Sequence, residues 1–109
     1  NYIQNNNFEN VCINNKKIEN INIYGIGDIA VNIIKKTNLI SSFKNVNLYD
    51  SNVKKVGTKV NNLIIKKPED LKENDFKIFI STAQSYDEIY QSLIKMNINQ
   101  NRLISGLFV

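Results

Sequence analysis

Short apolar runs and helix-like apolar spacing alternate along this chain from residue 21 onwards. Runs typical of buried strands recur between polar turns, at residues 21–24, 46–49, 63–65, 76–81 and 102–108. The spacing of apolar residues predicts helices over about 28–36 and from about 86 onwards, the second after the capping-box sequence Ser85-Tyr86-Asp87-Glu88. Pro68, which is followed by two acidic residues, predicts a further short helix that begins there.

Strands that alternate with helices predict an α/β fold with a mostly parallel sheet. We predict a Rossmann-like three-layer sandwich whose five strands have the order 3-2-1-4-5. The 109 residues suffice for one domain, which we assign to residues 21–109. Residues 1–20 are rich in Asn and are expected to form an N-terminal extension or linker. Because the chain begins with Asn1, we expect it to be a piece of a longer protein.

A glycine motif joins the first predicted strand to the first predicted helix. It reads Gly25-x-Gly27-x-x-Ala30. Gly25 allows a tight turn, Gly27 lets a phosphate approach the backbone, and Ala30 allows close packing of helix and strand. The free N–H groups and the positive dipole end of the helix attract an anion, although the carboxylate of Asp28 would repel it. This pattern predicts a nucleotide site.

Asp50 ends the second predicted strand, 23 residues beyond Gly27. An acid at this distance accepts hydrogen bonds from ribose hydroxyls, but Asp before Ser51 is equally typical of a turn. In the predicted order, the carboxyl ends of strands one and four meet in one crevice, which brings Ser81 and Thr82 to the glycine motif. The predicted cofactor-binding residues are therefore Gly25, Ile26, Gly27, Asp28, Asp50, Ser51, Ser81 and Thr82.

Residue types that support several common chemistries are missing from this chain. It has no His and a single Cys, Cys12, which excludes Cys–His and Ser–His catalysis, a disulfide and an ordinary zinc site. Tyr90 and Lys95 are one residue too far apart for the Tyr-x-x-x-Lys dyad of short-chain dehydrogenases. We therefore assign no catalytic residue and no metal site, and we expect this fragment alone not to be catalytic.

The net charge of +4 comes from lysines spread in pairs along the chain. No aromatic residues interleave with them, so we expect them to lie on solvated faces and predict no nucleic-acid partner. No apolar run approaches the length of a membrane span, and no signal peptide is visible. We therefore expect no membrane partner and a cytoplasmic location.

Residues 21 to about 107 resemble the small Rossmann-like domains attached to bacterial surface-polysaccharide enzymes. These domains occur in nucleoside-diphosphate-sugar epimerase/dehydratase-like proteins, in the N-terminal halves of sugar acyltransferases and in some methyltransferases. The resemblance lies in Tyr24-Gly25-Ile26-Gly27, Leu48-Tyr49-Asp50-Ser51, Lys54-Lys55-Val56-Gly57, Leu63-Ile64-Ile65, Pro68-Glu69-Asp70-Leu71 and Lys77-Ile78-Phe79-Ile80.

The chain departs from that family pattern at three places. Ala30 replaces the usual third glycine, and Asp28 replaces the His of the Gly-His pair that is typical of the acyltransferases, which speaks against acyltransferase chemistry. Asn61-Asn62 stands where relatives often have glycine, so we expect a left-handed backbone there.

The resemblance implies a nucleotide-binding module of a larger protein in bacterial glycan or surface-polysaccharide synthesis. Its ligand would be an NAD-type dinucleotide or a nucleotide-sugar. Its partners would be that small molecule, other domains of the parent chain and, in a homodimer, a second copy. Two alternatives stay open: a fragment of a nicotinamide-dependent nucleotide-sugar dehydratase or epimerase, and a degenerate Rossmann scaffold that mediates assembly.

Overall fold

The computed structural model describes residues 19–36, 43–81 and 85–104. The predictions for residues 1–18, with Cys12, for Thr82 and for residues 105–108 lie outside this part of the chain. The described residues form an α/β structure whose elements are β1 (Asn20–Tyr24), α1 (Asp28–Lys36), β2 (Asn45–Tyr49), β3 (Lys59–Val60), β4 (Leu63–Lys66), a 3₁₀ helix (Pro68–Glu73), β5 (Lys77–Ile80), α2 (Tyr86–Lys95) and a 3₁₀ turn (Gln100–Arg102).

The sheet is mixed and has the order β3-β4-β2-β1-β5. Four strands are parallel, while the short β3 pairs antiparallel with β4. The predicted order 3-2-1-4-5 is therefore wrong as stated, because a two-residue hairpin strand precedes β4 at the sheet edge. The predicted last strand contributes, within the described residues, a single parallel bridge between Ile78 and Leu103.

Both faces of the central strand β1 are covered. Its residues 21–24 are at most 3 % exposed. Successive strand side chains point to opposite faces, so β1 supplies two separate apolar clusters. The first contains Ile21, Ile23, Leu48, Ile65 and Phe79 together with Ala30 and Ile34 of α1. The second contains Tyr24, Tyr49, Ile78 and Ile80 together with Leu71 of the 3₁₀ helix and Leu93 of α2.

A buried polar network lies among these packed elements. Asn22 is fully buried, and its amide nitrogen donates to Asn74 Oδ1 at 3.0 Å while its carbonyl oxygen accepts from Asn47 Nδ2 at 3.1 Å. Arg102 Nη2 donates to the same Asn74 oxygen at 3.1 Å, and its guanidinium also donates to two backbone carbonyls. Asn22 can be buried because both ends of its amide have partners.

The β3–β4 hairpin turns through two left-handed asparagines. Asn61 has φ +47° and Asn62 has φ +69°, the backbone of a tight hairpin turn. The left-handed backbone expected here is thus confirmed. Asn61 Nδ2 also donates to the backbone carbonyl of Ile34 at 3.3 Å, which ties the hairpin to α1.

The helices begin close to where the pattern predicts them. The structure places α1 at Asp28–Lys36, and the short helix after Lys67 starts at Pro68 as a 3₁₀ helix. Ser85 is the N-cap of α2, yet its side chain makes no capping hydrogen bond, so that bond of the capping box is missing. None of the described helices has both the length and the apolar character to cross a membrane.

Candidate functional site

The glycine motif lies at the carboxyl edge of the sheet, between two neighbouring strands. It follows β1, which pairs with β2 on one side and β5 on the other. Gly25 N donates to the Tyr49 carbonyl at 2.9 Å, so the chain leaves β1 while still bonded to the end of β2. Asp50 follows β2 directly and Ser81 follows β5. The structure therefore brings Gly25, Ile26, Asp50 and Ser81 together.

The two glycines have different structural roles. Gly25 has φ +93°, a conformation that side chains disfavour, so the turn out of β1 requires glycine there. The φ of Gly27 is not positive, and a Cβ built on it would meet nothing within 4 Å. The Gly27 carbonyl accepts from Val31 N at 3.0 Å, so Gly27 is the N-cap residue directly before α1. An open, exposed surface therefore lies in front of Gly27 at the helix start.

Both carboxylate oxygens of Asp50 accept backbone N–H groups, one from the glycine motif and one from the turn that follows Asp50. Oδ2 accepts from Ile26 N at 2.8 Å, and Oδ1 accepts from Asn52 N at 2.8 Å. The second bond is the Asx turn that the sequence offered as one of two roles for Asp50. The first bond occupies an N–H group of the glycine motif, so that N–H is directed at a carboxylate.

Lys55 bonds the next peptide unit of the motif, between Ile26 and Gly27. Its Nζ donates to the Ile26 carbonyl at 2.8 Å, and the side chain is half-buried. The sequence analysis expected the paired lysines to lie on solvated faces, so this contact was missed. The one local signal for this contact was the turn sequence that precedes Gly57. In that turn Lys55 N donates to Asn52 O at 2.9 Å, which folds the loop back.

Ser81 is a buried residue that contacts the backbone of the turn at Gly25. Only 4 % of its surface is exposed, and its hydroxyl lies within hydrogen-bonding distance of the backbone carbonyls of Tyr24, at 3.2 Å, and Gly25. Its backbone N–H also donates to the Tyr24 carbonyl at 3.0 Å. These contacts make Ser81 a positioning residue for the turn at Gly25. Thr82, which was predicted beside it, lies outside the described residues.

Ser51 and Asp28 lie on the exposed side of the site. Burial raises the pKa of the Tyr24 phenol, and a side-chain hydrogen bond from Ser51 opposes that rise. Asp28 is in the first turn of α1, where its charge favours the helix but opposes a bound anion. Of the eight predicted binding residues, the structure describes the surroundings of seven.

The described part of the chain also contains a depression away from the glycine motif. No group of three or more acidic, His or Cys side chains there could hold a metal ion. An open depression of about 650 Å³ runs along α2 and is lined by Asp87, Glu88, Gln91, Ser92, Lys95 and Met96. None of these residues belongs to the glycine-motif site, which remains the candidate functional site.

Neither protein-family models nor curated protein sequences return a match to this chain. The resemblance to polysaccharide-enzyme domains consequently depends on the motifs alone.

Proposed function

We propose that this chain is a Rossmann-like nucleotide-binding module with helices on both faces of its sheet. The observation that carries the proposal is the open surface in front of Gly27, where a Cβ would meet nothing within 4 Å. That surface lies at the start of a nine-residue helix, whose free N–H groups and dipole favour an anion. Support for the sandwich comes from the two apolar clusters, one containing α1 residues and the other a residue of α2.

The ligand class that fits this arrangement is a nucleotide with a diphosphate, as in a dinucleotide of the NAD type or a nucleotide-sugar. The phosphates would lie against Gly27, and the carboxylate of Asp50 would accept hydrogen bonds from ribose hydroxyls. Each carboxylate oxygen can accept a second bond in addition to the backbone N–H it already holds. By its resemblance, the module would serve a larger protein of bacterial glycan or surface-polysaccharide synthesis.

A degenerate scaffold without a ligand is the second candidate. Two observations favour it. Both oxygens of Asp50 already accept backbone N–H groups, and the Asp28 carboxylate lies at the helix start, where it would repel a phosphate.

Replacing Gly27 by Val tests the proposed function. The new side chain would fill the surface that we assign to the ligand while touching no protein atom within 4 Å at its Cβ. We expect a wild-type thermal shift and calorimetric binding with NAD or with a UDP-sugar, and loss of both signals in Gly27→Val. In urea unfolding, the free energy of unfolding of the variant should lie within about 1 kcal/mol of the wild-type value. The expected cost is that Val is less favourable than Gly at the N-cap position of a helix.

Gln91→Val is the matched control, since it adds the same side chain at an exposed position on α2. It should bind as the wild type does. Equal binding by wild type and Gly27→Val would refute the location of the site. A wild type that binds none of these nucleotides would favour the degenerate scaffold.

A further inference from the structure

Within the described residues, the half-buried side chain of Lys55 has no acidic partner. Its one hydrogen bond is the contact of 2.8 Å with the Ile26 carbonyl, and no carboxylate in the described part of the chain forms an ion pair with it. An ammonium group has three N–H donors, so two remain for another acceptor. A cation that is hydrogen-bonded to a neutral carbonyl keeps its charge available for an anion, with which it can form charge-assisted hydrogen bonds.

The loop backbone around Lys55 is itself hydrogen-bonded. Lys55 N donates to Asn52 O at 2.9 Å, while the Lys55 carbonyl accepts from Thr58 N at 3.0 Å and from Thr58 Oγ1 at 2.6 Å. The loop backbone is thus bonded on both sides of Lys55, and the bond of its Nζ to the Ile26 carbonyl holds the end of the side chain at the motif. Less ordering is then needed when an anion binds.

The carboxylates at the site make a nearby cation favourable for binding an anion. Asp50 and Asp28 place two carboxylates at the glycine motif and the start of α1. A phosphate that approaches Gly27 meets this negative charge, and a helix dipole offsets it only in part. Lys55 is the basic residue that the described structure bonds directly to the motif, through the carbonyl of the residue before Gly27.

We propose that Lys55 binds a phosphate group of a nucleoside diphosphate at the glycine motif, an inference that rests on the proposed function. Lys55 then determines that the module takes a phosphorylated ligand in preference to the bare nucleoside. The neighbouring Lys54 has the same charge but an exposed side chain. Among the described residues its bond is made by the backbone N–H, to Asn52 Oδ1 at 3.0 Å. Lys54 is therefore the matched control.

The test is titration calorimetry of the full chain and its variants Lys55→Gln, Lys55→Arg and Lys54→Gln. The probes are ADP and UDP, each compared with its nucleoside, adenosine or uridine. We expect Lys55→Gln to weaken diphosphate binding about tenfold or more, as for loss of a charge-assisted hydrogen bond, and to leave nucleoside binding within about twofold. Lys55→Arg should retain most of the affinity because it keeps the charge, and Lys54→Gln should bind as wild type.

The possible results separate this proposal from the proposed function. Diphosphate binding that is unchanged in Lys55→Gln overturns the role of Lys55 and leaves the nucleotide site in place. Equal weakening of diphosphate and nucleoside shows that Lys55 only shapes the loop, and equal weakening by Lys54→Gln shows a general charge effect. Either result overturns the proposal. A wild type that binds neither diphosphate overturns both the role of Lys55 and the proposed function.

Discussion

Replacing Asp50 by Ala tests how the end of β2 holds the glycine motif. The substitution removes two acceptors at 2.8 Å, one for Ile26 N and one for Asn52 N. Hydrogen bonds to charged groups contribute about 1.5–3 kcal/mol each when buried. Ile26 is 2 % exposed, so its N–H would lose its partner in a dry setting, whereas Asn52 is exposed and water can replace the lost bond. We therefore expect the free energy of unfolding to fall by about 2–3 kcal/mol, almost all from the Ile26 contact.

The assay is urea unfolding followed by circular dichroism, since the chain has no Trp to report by fluorescence. Asp50→Asn is the graded variant. Its amide oxygen can keep the bond to Ile26 N, but as a neutral acceptor that contributes about half as much as a carboxylate, so we expect about half of the loss. Asn52→Ala is the control, because it removes an exposed bond to Lys54 N and should cost less than about 1 kcal/mol.

A loss below about 0.5 kcal/mol in Asp50→Ala would refute this reasoning, because surface substitutions without a structural role fall in that range. It would show that the Ile26 N–H finds another acceptor once the carboxylate is gone. The Asp50 contact described for the glycine motif would then have no energetic importance. A loss in Asp50→Asn as large as in Asp50→Ala would instead show that the charge matters more than the number of acceptors.

Two further predictions concern the core beside the site. Asn74→Ala should lower the free energy of unfolding in urea by about 2–4 kcal/mol, because it removes the partner of the fully buried Asn22 amide and of Arg102; a loss below about 1 kcal/mol would contradict this. Burial raises the pKa of Tyr49 above its ordinary value of 10.0, so its contribution to stability should be complete below about pH 10 and be lost as the pH rises through the folded-state pKa. Tyr49→Phe should lose less stability than wild type over that alkaline range, and equal pH profiles would contradict the prediction.

Positions of the elements were predictable because burial and backbone propensity act over a few residues. The run at 46–49 lies within β2, the periodicity over 28–36 coincides with α1, and Pro68 begins the 3₁₀ helix. Asn61 and Asn62 adopt the left-handed backbone that their residue type tolerates. The approach of Asp50 to the glycine motif followed from the rule that neighbouring parallel strands end at the same edge.

Only the tertiary structure decided which groups these elements bring into contact. The extra strand β3 is two residues long, too short for any periodicity, and it exists because β4 offers it hydrogen bonds. The Lys55–Ile26 and Asn22–Asn74 bonds join residues 29 and 52 positions apart. Hydropathy and propensity describe a residue against its near neighbours, whereas a hydrogen bond depends on where two distant backbones meet. The sequence by itself determined a strand–glycine–helix unit with an acid beside it, and the fold decided that Asp50 and Lys55 hold opposite ends of Ile26.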